Sequence, residues 1–277
     1  MRTRRFVALG CLGVALAVAI PGSAMAAGTQ RVEAGFVPEF NSTVPIPPPT
    51  LNEPPGYTKG GTLYTRLFLQ GYGPPVPEAA IFDIHAPDEL KFNTSGLPQC
   101  DPAAIRNQSA DAAKQICSDS LIGQGFSEAF LGGPTLRGDV ALFNGTPQNG
   151  NRTVLFHSTA GTPVTLISEM QDSTLPGHGT LFRTRVAQSA GGAVPDGIPI
   201  VDTGFTISRK YTDKKLLKKA KKAKRQGNTK RAKKLKKNSK KSWVQARCTD
   251  GAGVTRVEVT YTSGPPQSDE TVQRCVP

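Results

Sequence analysis

At 277 residues, 52 of them Pro or Gly, the chain has room for one large or two small domains, and its short strand-like runs favour an all-β domain with many turns. The net charge of +13 conceals a segregation: Arg209 to Lys241 carries 18 Lys or Arg against one acid, the first five residues carry three Arg, and the rest is left at −7. This excludes a generally basic nucleic-acid binder and describes a mildly acidic body with one concentrated basic element.

Met1 to Ala26 has the layout of a cleaved secretory signal. Arg2, Arg4 and Arg5 precede an apolar run from Phe6 to Ile20, and Pro21-Gly22 and Ala24-Met25-Ala26 follow it. The run is about 15 residues, short of the roughly 20 that span a bilayer. Cys11 stands too early in the apolar run for a lipidation site. The expectation is a mature chain from Ala27, secreted or in the extracytoplasmic envelope, with no transmembrane segment. Residues 27–59 hold Pro38, Pro45, Pro47, Pro48, Pro49, Pro54 and Pro55 and read as an extended spacer or strap, with the folded domain over 60–277.

Gly60 to Gly71 opens that domain as a strand, with Leu63, Thr65, Leu67 and Leu69 on one face and Tyr64, Arg66 and Phe68 on the other. Ala80 to Ile84 reads as a second. Asp101 to Ile116 is the best helical stretch, with Asp101 as N-cap and Pro102 in the first turn. The mature chain keeps Cys100, Cys117, Cys248 and Cys275, an even number that in an exported chain reads as two disulfides. Three pairings are possible, and the local one, Cys100–Cys117 with Cys248–Cys275, is favoured. A zinc site is the rival, without a C-x-x-C pair or a nearby His to support it. An unbroken helix would hold Cys100 and Cys117 about 25 Å apart, whereas a disulfide needs Cα atoms within roughly 7 Å. The pairing therefore requires a break, which Asn107-Gln108-Ser109 can supply, with Ser109 capping a second short helix.

From Leu121 onward short strands follow one another: Ile122–Phe130, Asp139–Phe143, Thr153–His157, Val164–Glu169, Thr180–Gln188, Ile198–Ser208, Trp243–Cys248, Gly253–Thr262 and Glu270–Cys275. Their spacing predicts an all-β fold, a single β-sandwich domain with a short broken helix near 101–117.

The basic element, 212–241, is expected to form a helical hairpin inserted between two strands. Leu216, Ala220 and Ala223, then Ala232 and Leu235, have helical spacing; Gly227 acts as a stop and Thr229 as a start. Its charge lies on Lys214, Lys215, Lys218, Lys219, Lys221, Lys222, Lys224 and Arg225, then on Lys230, Arg231, Lys233, Lys234, Lys236 and Lys237. Like charges at i,i+4 oppose such helices, and a polyanion would relieve the repulsion. Between Tyr211 and Trp243 there is no aromatic residue for base stacking, so Lys acts as a point charge.

No motif points to a cofactor or a metal. The three His (His85, His157, His178) lack metal-ligand spacing. Gly125-Phe126-Ser127-Glu128-Ala129 departs from the nucleophile elbow at its last position. Asp83 and His85, two apart, share a strand face without a third partner.

Leu97-Pro98-Gln99-Cys100, Cys117 with Leu121-Ile122-Gly123-Gln124-Gly125, Ala141-Leu142-Phe143-Asn144-Gly145, Arg209-Lys210-Tyr211 and Ala246-Arg247-Cys248 with Cys275 carry a resemblance. Over about Gly60 to Pro277 the chain resembles a group of exported actinobacterial proteins of unassigned activity. The resemblance implies a β-sandwich and a short turn where this chain has its Lys-rich insertion.

Two functions are in view. One is a non-enzymatic envelope or secreted protein that meets anionic polymer, anionic membrane surface or extracellular nucleic acid through its lysines. The other is a hydrolase or lyase acting on envelope carbohydrate through paired carboxylates in a groove.

Overall fold

The structure, a computed structural model, describes residues 28–38, 50–52, 57–72, 76–130, 132–190, 197–247 and 251–276. The signal reading over Met1–Ala26, Cys248 and the Cys275 side chain lie outside the described residues, and with them the second disulfide.

The strands are β1 (Thr29–Val37), β2 (Thr50–Asn52), β3 (Thr62–Gln70), β4 (Ala79–Pro87), β5 (Leu90–Phe92), β6 (Leu121–Phe130), β7 (Thr135–Gln148) and β8 (Asn151–Ser158). They continue with β9 (Val164–Asp172), β10 (His178–Arg185), β11 (Ile200–Ile207), β12 (Lys210–Thr212), β13 (Lys240–Ser242), β14 (Val244–Ala246), β15 (Ala252–Tyr261) and β16 (Gln267–Val276). The helices are α1 (Pro102–Ile105), α2 (Ala110–Ile116), α3 (Lys214–Arg225) and α4 (Thr229–Ser239).

Twelve strands form one sheet in the order β1-β3-β11-β6-β7-β8-β9-β10-β4-β15-β16-β2, antiparallel except for β2 beside β16. This corrects the two-sheet sandwich: the sheet is single and barrel-like, its first strand returning to meet β16. Short alternating strands suit either architecture, because each buries one face. The seam decides, and polar side chains close it. Val32 N–H donates to Asp269 Oδ2 (2.9 Å), and Gln273 both accepts from Phe36 N–H and donates to Phe36 C=O (2.8 Å each). Thr271 Oγ1 donates to Val32 C=O (2.5 Å). Alternate residues of β16 thus satisfy alternate backbone groups of β1, which a free edge would expose. Thr29–Val37, set outside the domain by the proline count, is therefore a barrel strand. Val32, Ala34 and Phe36 face inward before the first proline is reached.

Inward positions follow the period of two. Leu63, Thr65, Leu67 and Leu69 share the inner face of β3, while Arg66 points out to a bidentate pair with Asp202 (3.0 and 2.7 Å). On β4 and β10, Phe82 and Phe182 face in, and Asp83 and Arg183 pair outside (2.8 and 2.6 Å). Apolar inside and charged outside is the reverse of a lipid-embedded barrel. Among the described residues no helix is long and apolar enough to cross a membrane.

One end of the barrel is filled. Trp243, fully buried, stacks edge-on to Phe92 (5.1 Å between ring centroids), and Phe92 does so to Phe182 (5.0 Å). The small sheet of β5 and β14 brings Leu90, Phe92, Val244 and Ala246 into the same cluster as Ile122, Leu142, Val154 and Ile207.

Outside the wall, α1 and α2 lie over β7, β8 and β9. Asp101 Oδ1 caps α1 through Ala103 N–H (2.9 Å), and Ser109 Oγ caps α2 through Ala112 N–H (3.2 Å). Between them Asn107 takes φ 60°, the break that lets Cys100 and Cys117 pair at a Cα separation of 5.5 Å. The disulfide packs with Ile105 and Ala113 against Phe143, Leu155 and Ile167.

Candidate functional site

The Lys-rich stretch leaves the filled end of the barrel. β12 and β13 pair, and Asp213 N–H donates to Ser239 C=O (2.8 Å), so both helices rise from one closed base. Asp213 is buried there. Its Oδ1 accepts from the N–H groups of Lys215 (2.9 Å) and Leu216 (3.0 Å), and its Oδ2 faces Lys241 Nζ at 3.5 Å. Burial raises its pKa, but the Leu216 N–H and the Lys241 charge outweigh burial and hold the carboxyl below its ordinary value. The loop before Cys100 grips this base. Tyr211 Oη donates to Asn93 C=O and Ser95 C=O (3.0 Å each), and burial pushes its phenol up to about 12. Gly96, at φ 78°, leaves room for Asp213, because a Cβ there would lie 2.5 Å from the carboxylate carbon.

The helices join through a Schellman turn. Gly227 N–H donates to Lys224 C=O (3.1 Å) and Asn228 N–H to Ala223 C=O (3.0 Å), with Gly227 at φ 75°. Asn228 then caps α4 by accepting from Arg231 N–H (3.0 Å). The start signal is therefore Asn228, not Thr229, which is the first helical residue. Ala220, Ala223 and Ala232 are buried, while the fourteen basic residues from Lys214 to Lys237 named above are all exposed. None of the fourteen has a carboxylate partner among the described residues, because Asp213, the only nearby acid, is committed to the cap and to Lys241. The site is thus an exposed cationic surface on two short helices fixed at one end.

Each of the three His is hydrogen-bonded within the fold. His157 is fully buried under the α1–α2 break, bonded to Thr165 Oγ1 (2.9 Å) and Gln108 C=O (3.0 Å); burial lowers its pKa although the Gln108 carbonyl favours the charged form. His85 Nδ1 bonds Ser173 Oγ (2.9 Å), and burial lowers its pKa as well. Asp83 shares the face of His85, as strand spacing predicts, but its carboxylate is held by Arg183. Among the described residues no group of three or more His, Cys, Asp or Glu is placed to hold a metal ion.

Gly125 to Ala129, read above against a nucleophile elbow, carries a different signal. Ser127 and Ala129 point into the barrel at the end opposite Trp243, and Ser127 Oγ lies 2.6 Å from Ser158 Oγ. These small residues leave a cavity of about 620 Å³ between Phe156 and Phe205 as its floor and Glu78, Gly132 and Thr162 at its mouth. Its walls are largely aliphatic and aromatic, and among the described residues Glu78 is its only carboxylate, so the described lining assembles no carboxylate pair. The readable sign was that inward positions of β6 are Gly123, Gly125, Ser127 and Ala129, too small to meet across a barrel.

No family model matches the chain, and no curated protein matches it.

Proposed function

We propose that this is an exported, non-enzymatic binding protein that engages phosphate-rich polyanions through α3 and α4. The observation that carries the reading is that fourteen exposed Lys and Arg side chains are gathered on one element and have no carboxylate partner among the described residues. Such a surface attracts polyanions by counterion release, a term that is independent of sequence. Lys supplies charge without bidentate base recognition, and the helices offer no aromatic platform, so the partner is defined by its phosphate density. Export rests on the Met1–Ala26 layout, and the disulfide suits an oxidising compartment.

The test is a titration of duplex DNA and of polyphosphate at several salt concentrations. If about ten cations engage phosphates, log affinity should fall against log salt with a slope on the order of −7 to −9. The control replaces residues 214–238 by Asn-Gly, a two-residue turn suited to joining paired strands. It should melt as the parent does and bind neither polymer. A flat salt dependence, or unchanged binding by the control, rules the reading out.

A further inference from the structure

The cavity lies at the end of the barrel away from the lysines and has no part in polyanion binding. We propose that it is a binding site for one neutral, mainly hydrocarbon small molecule that carries a single polar group.

The barrel shows that this space is built. At the filled end, Trp243, Phe92 and Phe182 close the interior with rings. At the other end the wall of β6 to β8 presents Ser127, Ala129 and Ser158 opposite Phe82 and Val257, and a volume of about 620 Å³ remains. Protein interiors normally pack without such voids, since lining atoms there lose their dispersion partners. The volume lies within the roughly 300–1,000 Å³ of sites that enclose small organic ligands.

The lining sets the chemistry. Among the described residues it contains no Lys, Arg or His, and Glu78, its one charged residue there, is exposed at the rim. An anionic head group would enter an apolar site without a counter-charge, at high desolvation cost. A neutral ligand avoids that cost. Polar contacts are available at one level of the wall: the Ser127–Ser158 pair, and the hydroxyls of Thr65 and Thr184. These two residues, 3% and 6% exposed, line the cavity together with the Ser127–Ser158 pair. One carbonyl or hydroxyl on the ligand can use them.

The experiment uses the secreted chain carrying the Asn-Gly replacement of 214–238, so that the lysines cannot capture an anionic probe. N-phenyl-1-naphthylamine, a neutral fluorophore, should bind saturably at one site. Ala129→Phe should weaken it at least tenfold while the protein still melts cooperatively. Independently of any cavity variant, native mass spectrometry should show decanol bound at least tenfold more tightly than decanoate. Absence of saturable binding overturns the proposal. So does a folded Ala129→Phe variant that binds as the parent does, or decanoate binding equal to or tighter than that of decanol. Because neither polymer is used, failure here leaves the polyanion reading intact, and failure of that reading leaves this one intact.

Discussion

The molecule carries two pairs of short helices, built from the same local signals and fastened in opposite ways. Both pairs have side-chain caps, a break at a residue with positive φ, and small alanines at the contact. The α1–α2 pair is bound to the wall by a disulfide, by Ile105 and Phe143, and by a buried histidine. The α3–α4 pair is held only at its base, through Asp213, Tyr211 and Ser239. Caps and alanines make a helix possible; apolar burial and crosslinking decide whether it belongs to the core. The first pair is part of the wall, and the second stands out from the barrel on the β12–β13 base.

The largest effect should come from charge on the second pair. Changing Lys218, Lys222, Lys233 and Lys237 to Gln should reduce the salt slope of polyanion binding by up to about 3–4, since each phosphate contact adds about 0.9. The melting temperature should not fall, because these side chains are exposed and unpaired. A matching drop in melting temperature would erase the distinction between the pairs.

Next is the staple of the first pair. Cys100→Ser should destabilise the protein by about 3 kcal/mol, the loop-closure term for a crosslink of this span. Denaturant melts of the variant against the parent measure it. A loss no larger than that of the Asn-Gly replacement would mean that both pairs are equally peripheral.

Acid should loosen the first pair. His157 is neutral and buried in the folded protein, with its pKa lowered, so the unfolded chain takes up its proton first. Its contribution is fully present above the ordinary His pKa of about 6.5 and is lost as pH falls from there toward the folded value. His157→Gln should flatten this part of the stability–pH curve. Asp213 has the carboxylate sign: its lowered pKa stabilises the base of the second pair above about pH 4 and is lost under stronger acid.

The smallest effect is at the turn of the second pair. Asn228→Ala should cost about 1 kcal/mol of local helix stability. It should appear as faster amide exchange in α4 without a change in the global melt. A global shift would show that α4 is coupled to the barrel.

Much of the local structure could be read in the chain. The caps at Asp101 and Ser109 followed from residue types, and the reach of a disulfide tied the break between them to the Cys100–Cys117 pairing, which was favoured among three and is present. The strand β3 and its inner face followed from the alternation of Leu63, Leu67 and Leu69. The strand β1 was hidden because the prolines after it dominated the segment. β5, β12 and β13 were hidden because three-residue strands are too short to show a period.

The sequence by itself determined which residues alternate, where helices cap and break, and where charge collects, because these depend on neighbours within a few residues. Tertiary structure alone decided that the strands form one curled sheet instead of two facing ones. That choice rests on β16 side chains bonding the backbone of β1, more than 230 positions away. It also decided that one end is filled and the other hollow. Trp243 and Phe92 meet across about 150 residues of chain, while Ser127 and Ser158 meet each other and leave space beside them. Side-chain volume is written at each position, but whether it suffices depends on what stands across the barrel.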